Sequence, residues 1–200
     1  MENILLKSKT FLTLMLLSIV CCSPESNKAE KRKQGLLYKV NNKLLHPEAI
    51  TDDDEFMMNI PVNWNPLDSL LKSEFNRSFR SQGGPTKLVL VNAFQSQAGS
   101  QCIISKVITD KKDFSFISED VISDIQLKIH GDGYKTNDLN INNLSAKQYL
   151  VRGKNYVIIK LYTQLKDVYQ IDFIIPLSKY ESELESIESS IGTITYKGKL

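Results

Sequence analysis

The sequence predicts an α+β domain in which helices pack on a mostly antiparallel β-sheet. Two observations predict this class. The segments "NYVIIKLYT" and "VYQIDFII" alternate apolar and polar residues and are separated only by the short "QLKD", which is typical of two strands joined as an antiparallel hairpin. Other segments repeat their apolar residues with a helical period and carry capping residues at their ends, which is typical of amphipathic helices.

The first half of the domain is predicted to contribute four strands. Leu36–Val40 is predicted as a short first strand, and a loop through "HPEAITDDDE" leads to a second strand, Phe56–Pro61, that ends at its proline. The segments "KLVLVNAF" and "QCIISKVI" are apolar on both faces. Such segments indicate inner strands of a sheet that is covered on both sides.

Three helices are predicted, each with a capping residue and one apolar face. The first has Asn65 as its cap and Pro66 at its first helical position, and the second begins at Ser118. In the third, Ser178 and Glu181 are predicted to form a capping box. The apolar faces consist of Leu67, Leu70, Leu71, Phe75 and Phe79 in the first helix, of Val121, Ile122, Ile125 and Ile129 in the second, and of Tyr180, Leu184, Ile187 and Ile191 in the third.

Two further strands, "DLNIN" and "AKQYLVRG", precede the hairpin named above. Gly153 and Lys154 fit a tight turn between the second of these strands and the hairpin. The sheet is therefore predicted to consist largely of strands that are neighbours in the sequence and pair in antiparallel orientation.

The first residues of the sequence have the pattern of a removable export signal. Lys7 and Lys9 precede the uncharged run Phe11–Val20, which is about half of the roughly 20 apolar residues that cross a bilayer. A basic start, a short apolar run and an abrupt change to polar residues indicate a secretory signal. The run ends directly on Cys21 and Cys22. This end resembles the signal of a bacterial lipoprotein, in which a cysteine sulfur receives a diacylglycerol and becomes the first residue after cleavage.

Cys22 is the predicted lipid acceptor, and Cys21 is the alternative. Cys22 follows the small residue Cys21, whereas Cys21 would follow the bulky Val20 at the cleavage position. The usual residue at that position is Gly, Ala or Ser, so the sequence departs from the lipoprotein pattern there.

The lipoprotein resemblance implies a domain organisation and a location. Residues 1–21 are predicted as the signal peptide, and residues 22–35 as a flexible polar tether because they lack aromatic residues and are rich in charge. Residues 36–200 are predicted as a single α+β globular domain. The resemblance implies acylation by chains such as palmitate, and a lipid-anchored position in the bacterial cell envelope on the periplasmic or outer-membrane side.

The order of elements resembles the PsbP-like fold, which also includes a Ran-binding nuclear import factor. The resemblance covers about residues 50–195. It is carried by the F-x-x-x-I-P-x-x-W pattern of Phe56, Ile60, Pro61 and Trp64, by the hairpin that ends at Pro176, and by the end of the last helix at Ser189, Ser190 and Ile191. It implies an α/β/α sandwich and an accessory, assembly or transport role, and it carries no catalytic motif.

Composition argues against a nucleic-acid partner and a metal centre. The formal net charge is +2, and loss of the predicted signal, which contains two lysines and one glutamate, lowers it by one, so no basic field for nucleic acid is expected. Cys102, His46 and His130 are not clustered in the sequence, whereas zinc needs several ligands at set spacings. Cys102 is predicted to be a buried free thiol. No cofactor and no metal ligand is predicted.

Three polar segments resemble candidate sites, but their sequences favour structural roles. Asp52–Glu55 lacks the alternating ligands and the turn glycine of a calcium loop. His130 and Asp132 could serve as an acid/base pair, but they lie at a predicted helix end, where histidine favours the helix dipole. Arg80–Lys87 contains two glycines but not the Gly-Lys-Ser/Thr of a phosphate loop. No catalytic residue is therefore predicted.

The sequence predicts a membrane-anchored envelope lipoprotein whose domain is a non-catalytic binding or assembly module. Its predicted partners are membrane lipid, through the acylated cysteine, and an envelope protein. The alternative is an envelope enzyme whose site is assembled from residues that are scattered in the sequence. Trp64, the only tryptophan, could be an exposed anchor for a partner. We predict instead that it is largely buried and packs on Ser69 and Leu70 as a hydrophobic staple.

Overall fold

The computed structural model describes residues 38–52, 56–81, 87–108 and 133–197, and within these ranges the side chains of residues 51–52 and 78–81 are not described. These residues form two antiparallel sheets and two α-helices, which confirms the predicted α+β class. The predicted helix that begins at Ser118 lies outside the described residues, as do Cys21 and Cys22.

Ten strands lie in the described ranges. They are β1 (Leu45–Asp52), β2 (Phe56–Pro61), β3 (Trp64–Pro66), β4 (Lys87–Ser96), β5 (Gln101–Ile108), β6 (Tyr134–Ile141), β7 (Leu144–Arg152), β8 (Tyr156–Gln164), β9 (Val168–Pro176) and β10 (Thr195–Tyr196). The larger sheet has the order β3-β4-β5-β9-β8-β7-β6, and the smaller sheet has the order β1-β2-β10. Every neighbouring pair is antiparallel. The inner position of β5, between β4 and β9, agrees with its apolar sequence.

Short turns hold the second half of the large sheet in register. Asn142 and Asn143, between β6 and β7, both have positive φ values, of 49° and 68°, as the tight hairpin turn with two left-handed residues requires. The side-chain amide of Asn142 also donates to the carbonyl oxygens of Gly192 and Ile194, each at 2.9 Å. The predicted turn at Gly153 is confirmed by a hydrogen bond from its amide to the carbonyl oxygen of Tyr156.

The first strand of the smaller sheet lies later in the chain than the sequence predicted. Residues Tyr38–Val40 are not in a strand, whereas β1 occupies much of the segment predicted as a loop. This strand was not predicted because it contains Pro47. Proline lacks an amide donor and interrupts the hydrogen-bond ladder between two strands. The ladder between β1 and β2 does shift register between Leu45 and Ala49. In this bulge the side-chain amide of Asn59 donates to the carbonyl oxygens of His46 and Pro47, at 2.9 and 3.5 Å.

Helix α1, Ser69–Ser81, begins three residues later than the sequence predicted. Asn65 and Pro66 lie in β3, which pairs with Phe94–Ser96 of β4 and so keeps this backbone extended. The cap is Asp68, whose Oδ1 accepts a hydrogen bond from the Leu71 amide at 2.8 Å. The predicted position of the cap was therefore wrong.

Helix α2, Tyr180–Gly192, has the predicted apolar face but not the predicted capping box. Ile187 and Ile191 are fully buried, and Tyr180 and Leu184 pack against the core. A 3₁₀ helix at Leu177–Lys179 precedes α2, so Lys179 rather than Ser178 occupies the cap position, and it makes no side-chain cap.

The core lies on one face of the large sheet, beneath the small sheet and α2. Its buried members include Phe56, Met58, Ile60, Trp64, Phe94, Cys102, Ile104, Ile159, Tyr169, Ile171, Phe173, Ile175, Ile187 and Ile191. The rings of Phe56 and Tyr169 stack with centroids 5.0 Å apart and join the two sheets. The opposite face of the large sheet carries a smaller buried cluster of Val107, Tyr149, Val151 and Tyr162.

Candidate functional site

An open groove lies at the outer strands of the two sheets. We call it the edge groove. Its volume is about 320 Å³, and it is lined by His46, Pro47, Glu48, Ala49, Ile50, Ile60, Trp64, Pro66 and Phe94. Among the described strands, β1 is the last strand of the small sheet and β3 is the last strand of the large sheet. The groove therefore contains residues from two strand edges and from the core between them.

The floor of the edge groove is apolar and consists of core residues. Ile60, Trp64 and Phe94 are almost fully buried, and Ile50 packs against the same core. Trp64 is 3% exposed, which confirms the prediction that it is buried. Its ring meets Phe173 edge-on, with centroids 6.0 Å apart. The predicted staple was wrong, because Leu70 is 75% exposed and Trp64 is held by the core of the large sheet instead.

A second cleft adjoins the edge groove on the other side of β3. We call it the helix cleft. Its volume is about 300 Å³, and its lining consists of Asn65, Pro66, Leu67, Asp68, Leu71, Gln95, Ser96 and Gln97. Pro66 lines both cavities. The amide of Leu67 donates to the carbonyl oxygen of Ala93 at 2.9 Å, which fixes the start of α1 against β4.

Exposed apolar residues accompany these two cavities. Leu70 and Leu71, on the first turn of α1, are 75% and 37% exposed, although the sequence predicted both on the buried face. Val62, in the turn between β2 and β3, is also exposed. Leu67, which was predicted on the same apolar face, is buried as expected. The apolar face predicted for α1 is therefore only partly buried in the structure.

The charged residues of the two cavities are acidic. Glu48 lies in the edge groove and Asp68 in the helix cleft, and both are exposed. The described lining residues include neither lysine nor arginine, and the remaining titratable side chain is His46. Within the described part of the chain, no group of three His, Cys, Asp or Glu side chains is placed to hold a metal ion.

Groups with shifted pKa values lie outside both cavities. Burial, and next the negative charge of Glu188, raise the pKa of Tyr38 to about 12. Burial also raises the pKa of Glu188 and, together with the Glu188 charge, that of Tyr180. Cys102 is fully buried, and burial raises the pKa of its thiol well above the ordinary value, an effect that the charge of Asp172 increases. Among the described residues Cys102 is a free cysteine, as predicted.

A polar network lies on the face of the large sheet opposite the main core. Lys160 Nζ and Asp172 Oδ1 are 2.6 Å apart. The Gln170 amide donates to Asp172 Oδ2 at 2.6 Å, and the Tyr162 hydroxyl donates to Gln170 Oε1 at 2.9 Å. This ion pair and these hydrogen bonds link β8 with β9 and stabilise their pairing.

The structure separates the residues that the sequence singled out. His46 lies in the edge groove, Cys102 lies in the core, and His130 and Asp132 lie outside the described residues. Asp52 ends β1 and is described only by its backbone, and the acidic residues that follow it are outside the described ranges. The edge groove was not predicted from the sequence, and the β-branched pair Ile50-Thr51 after Ala49 was the available signal for β1.

In the described ranges, neither helix has the length and hydrophobicity needed to cross a bilayer.

No family model matches the chain, and no curated protein matches it. Among solved structures, the chain is similar to cyanobacterial PsbP (CyanoP) from Synechocystis sp. PCC 6803, with 11% sequence identity and a TM-score of 0.48 over 82% of this chain and 98% of that chain. It is also similar to a Pseudomonas aeruginosa protein of unknown function, with 12% identity and a TM-score of 0.43 over 74% of this chain and 95% of that chain. We transfer no functional residue from either protein.

Proposed function

We propose that this chain is a cell-envelope lipoprotein whose domain is a non-catalytic binding or assembly module. Cys22, or Cys21 as the alternative, carries the lipid, and the edge groove receives an envelope protein. The observation that carries the proposal is the open apolar groove between two strand edges, which shares Pro66 with the helix cleft, where Leu71 of α1 is partly exposed. Exposed apolar residues next to a concave apolar surface are typical of interaction sites.

The form of the groove favours binding over chemistry. Its floor is made of packed core residues, and the polar side chains at its rim, Glu48 and His46, come from a single strand. Catalysis requires groups that converge on one reacting atom from a supported arrangement. A floor of this kind instead provides a fixed shape against which an apolar side chain of a partner can pack.

Lipid anchoring is tested by changing the two cysteines separately. Cys22→Ser is expected to abolish incorporation of a clickable fatty acid, and Cys21→Ser is expected to retain it, because only the acylated cysteine provides the sulfur. A diacylglycerol holds a protein at a membrane because each buried methylene contributes about 0.8 kcal/mol. Equal labelling of both variants would contradict the choice of Cys22.

The binding role is tested by filling the edge groove in the native envelope. Ala49 is a small, half-buried residue of the lining, so Ala49→Arg places a long charged side chain in the groove. We expect this variant to lose the complexes that chemical crosslinking of envelopes captures with the wild-type chain. Thr136→Arg, on the exposed surface of β6 at the far edge of the large sheet, is the matched control. Complexes that survive Ala49→Arg unchanged would refute the edge groove as the binding surface.

A further inference from the structure

We propose that the edge of β1 that no described strand occupies pairs with an extended segment of the partner, which places an apolar side chain in the edge groove and a lysine or arginine beside Glu48. This inference rests on the proposed function and identifies the partner segment by its chemistry: a short, basic β-strand. The bound segment would become an additional strand of the small sheet, next to β1.

The edge groove follows β1 along much of its length. All five residues His46–Ile50 line the groove, and Ile50 also packs against the core. Among the described strands, β1 pairs only with β2, so its other edge presents amide and carbonyl groups that a further strand can use.

The bulge in β1 sets where a partner strand can pair. The carbonyl oxygens of His46 and Pro47 accept hydrogen bonds from the Asn59 side chain, and Pro47 has no amide hydrogen. The regular ladder with β2 runs from Ala49 to Asp52. The pairing stretch is therefore short, and it begins next to Glu48.

The surface chemistry selects a basic and apolar partner. Ile50, Ile60, Trp64 and Phe94 form the apolar floor, while Glu48 is an exposed carboxylate at the rim. Asp68 adds a second carboxylate in the adjoining helix cleft, and the described lining of both cavities contains no lysine or arginine. Complementary charge directs the approach and the register of a partner. A second copy of this chain fits less well, because pairing of two β1 strands brings two Glu48 carboxylates to the same seam.

The test is a selection of peptides on the purified full-length chain in detergent. A displayed library of random dodecamers is selected on the wild type, on Glu48→Lys and on Asp138→Lys. Asp138 is an exposed acidic residue of β6, on the opposite edge strand, and provides the matched control. We expect the wild type and Asp138→Lys to enrich segments with alternating apolar residues and a lysine or arginine. We expect Glu48→Lys to bind those peptides about three- to tenfold more weakly.

Two further measurements locate the bound peptide. Trp64 is the only tryptophan of the chain and lines the groove, so its fluorescence should change when a selected peptide binds. The backbone amides of Ala49, Ile50 and Thr51 should shift in NMR spectra, and N-methylation of alternate peptide amides should abolish binding because it removes the donors of the new ladder.

The outcomes separate this inference from the proposed function. No enrichment, enrichment of acidic peptides, or shifts that lie outside β1 would overturn the inference. A dimer of the chain that Ala49→Arg disrupts would assign the edge to a second copy and would also overturn the inference.

If Ala49→Arg removes the envelope complexes but N-methylated peptides bind unchanged, the inference of strand pairing fails and the proposed binding module stands. If the complexes survive Ala49→Arg, the proposed function fails too.

Discussion

The two described helices differ in how much of their apolar surface is buried against the rest of the domain. Helix α2 buries Ile187 and Ile191 completely, and Ser190 Oγ donates to the carbonyl oxygen of Asn59 in β2. Helix α1 leaves Leu70 mostly exposed beside the helix cleft. The α2 side is therefore closed by contacts within the domain, whereas the α1 side and the edge groove keep apolar surface accessible. This difference indicates which side stabilises the domain and which side is available to a partner.

A short segment before β1 completes the closed side. We call Tyr38–Asn41 the strap. The Asn41 amide donates to Ser189 Oγ at 3.1 Å, and its side-chain amide donates to Glu185 Oε1 at 3.0 Å. The Tyr38 hydroxyl accepts a hydrogen bond from the Gln148 amide at 2.8 Å. The strap thus ties the start of the described domain to α2 and β7.

The largest difference between the two helices is expected in the loss of stability when one apolar residue of each helix is truncated to alanine. Ile187→Ala is expected to lower the free energy of unfolding by about 2–5 kcal/mol, because it leaves a cavity in the core. Leu70→Ala, the matched variant on α1, should change it by no more than about 0.5 kcal/mol, since Leu70 makes little buried contact. Urea denaturation of the purified chain measures both. Equal losses for the two variants would show that α1 is as fully incorporated as α2.

A methyl group added at Gly192 should weaken the contact between α2 and the strap. A Cβ at this position would lie 2.8 Å from Val40 Cγ2 and 3.1 Å from Tyr38 Cβ. We expect Gly192→Ala to lower the free energy of unfolding by about 1–3 kcal/mol, as overpacking does. Hydrogen exchange of the Asn41 amide should also become faster.

The matched control for Gly192→Ala is Ser182→Ala, on the exposed face of the same helix. It should leave both the stability and the exchange of Asn41 near their wild-type values. If hydrogen exchange of the Asn41 amide were unchanged in Gly192→Ala, the contact between the strap and α2 would not require a glycine at position 192.

The smallest expected effect concerns the pH dependence of the closed side. Burial raises the folded-state pKa of Glu188 above its ordinary value of 4.5. The folded state therefore holds this proton more tightly than the unfolded state, and the free energy of unfolding falls as pH rises from 4.5 through the raised pKa. Glu188→Gln should be more stable than the wild type at neutral pH and should lose that advantage well below pH 4.5.

Thermal melts of Glu188→Gln and the wild type across this pH range test the sign. Glu181→Gln provides a control, because Glu181 is exposed on the same helix. A stabilisation by Glu188→Gln that persisted in acid would indicate an effect of packing rather than of charge.

Local patterns were sufficient for much of the second half of the domain. The segments that form β8 and β9 alternate apolar and polar side chains, and the structure forms these strands, and β7 before them, where the sequence predicts. The apolar face of α2 was also predicted from a local pattern, because its apolar residues recur with the 3.6-residue period of a helix. Phe56–Pro61 was predicted with its observed bounds, since proline ends the apolar run.

Local sequence patterns predicted the wrong element where the same residues could belong either to a helix or to a strand. Asn65 and Pro66 have the chemistry of a helix start, but pairing with β4 holds them in a strand, and a helix can begin only after that pairing ends. The burial of Trp64 was predicted correctly, while its partner was not, because Phe173 is distant in the sequence.

The residue sequence was enough to establish the α+β class, most strands, the apolar face of α2 and the burial of Trp64, because each follows from the period or the size of nearby side chains. The edge groove required the folded chain. It brings His46–Ile50 beside Trp64, Pro66 and Phe94, and these segments meet only because the two sheets pack on a common core. No local sequence pattern indicates which of the described strands lies at the end of a sheet, since that depends on how all of these strands pair.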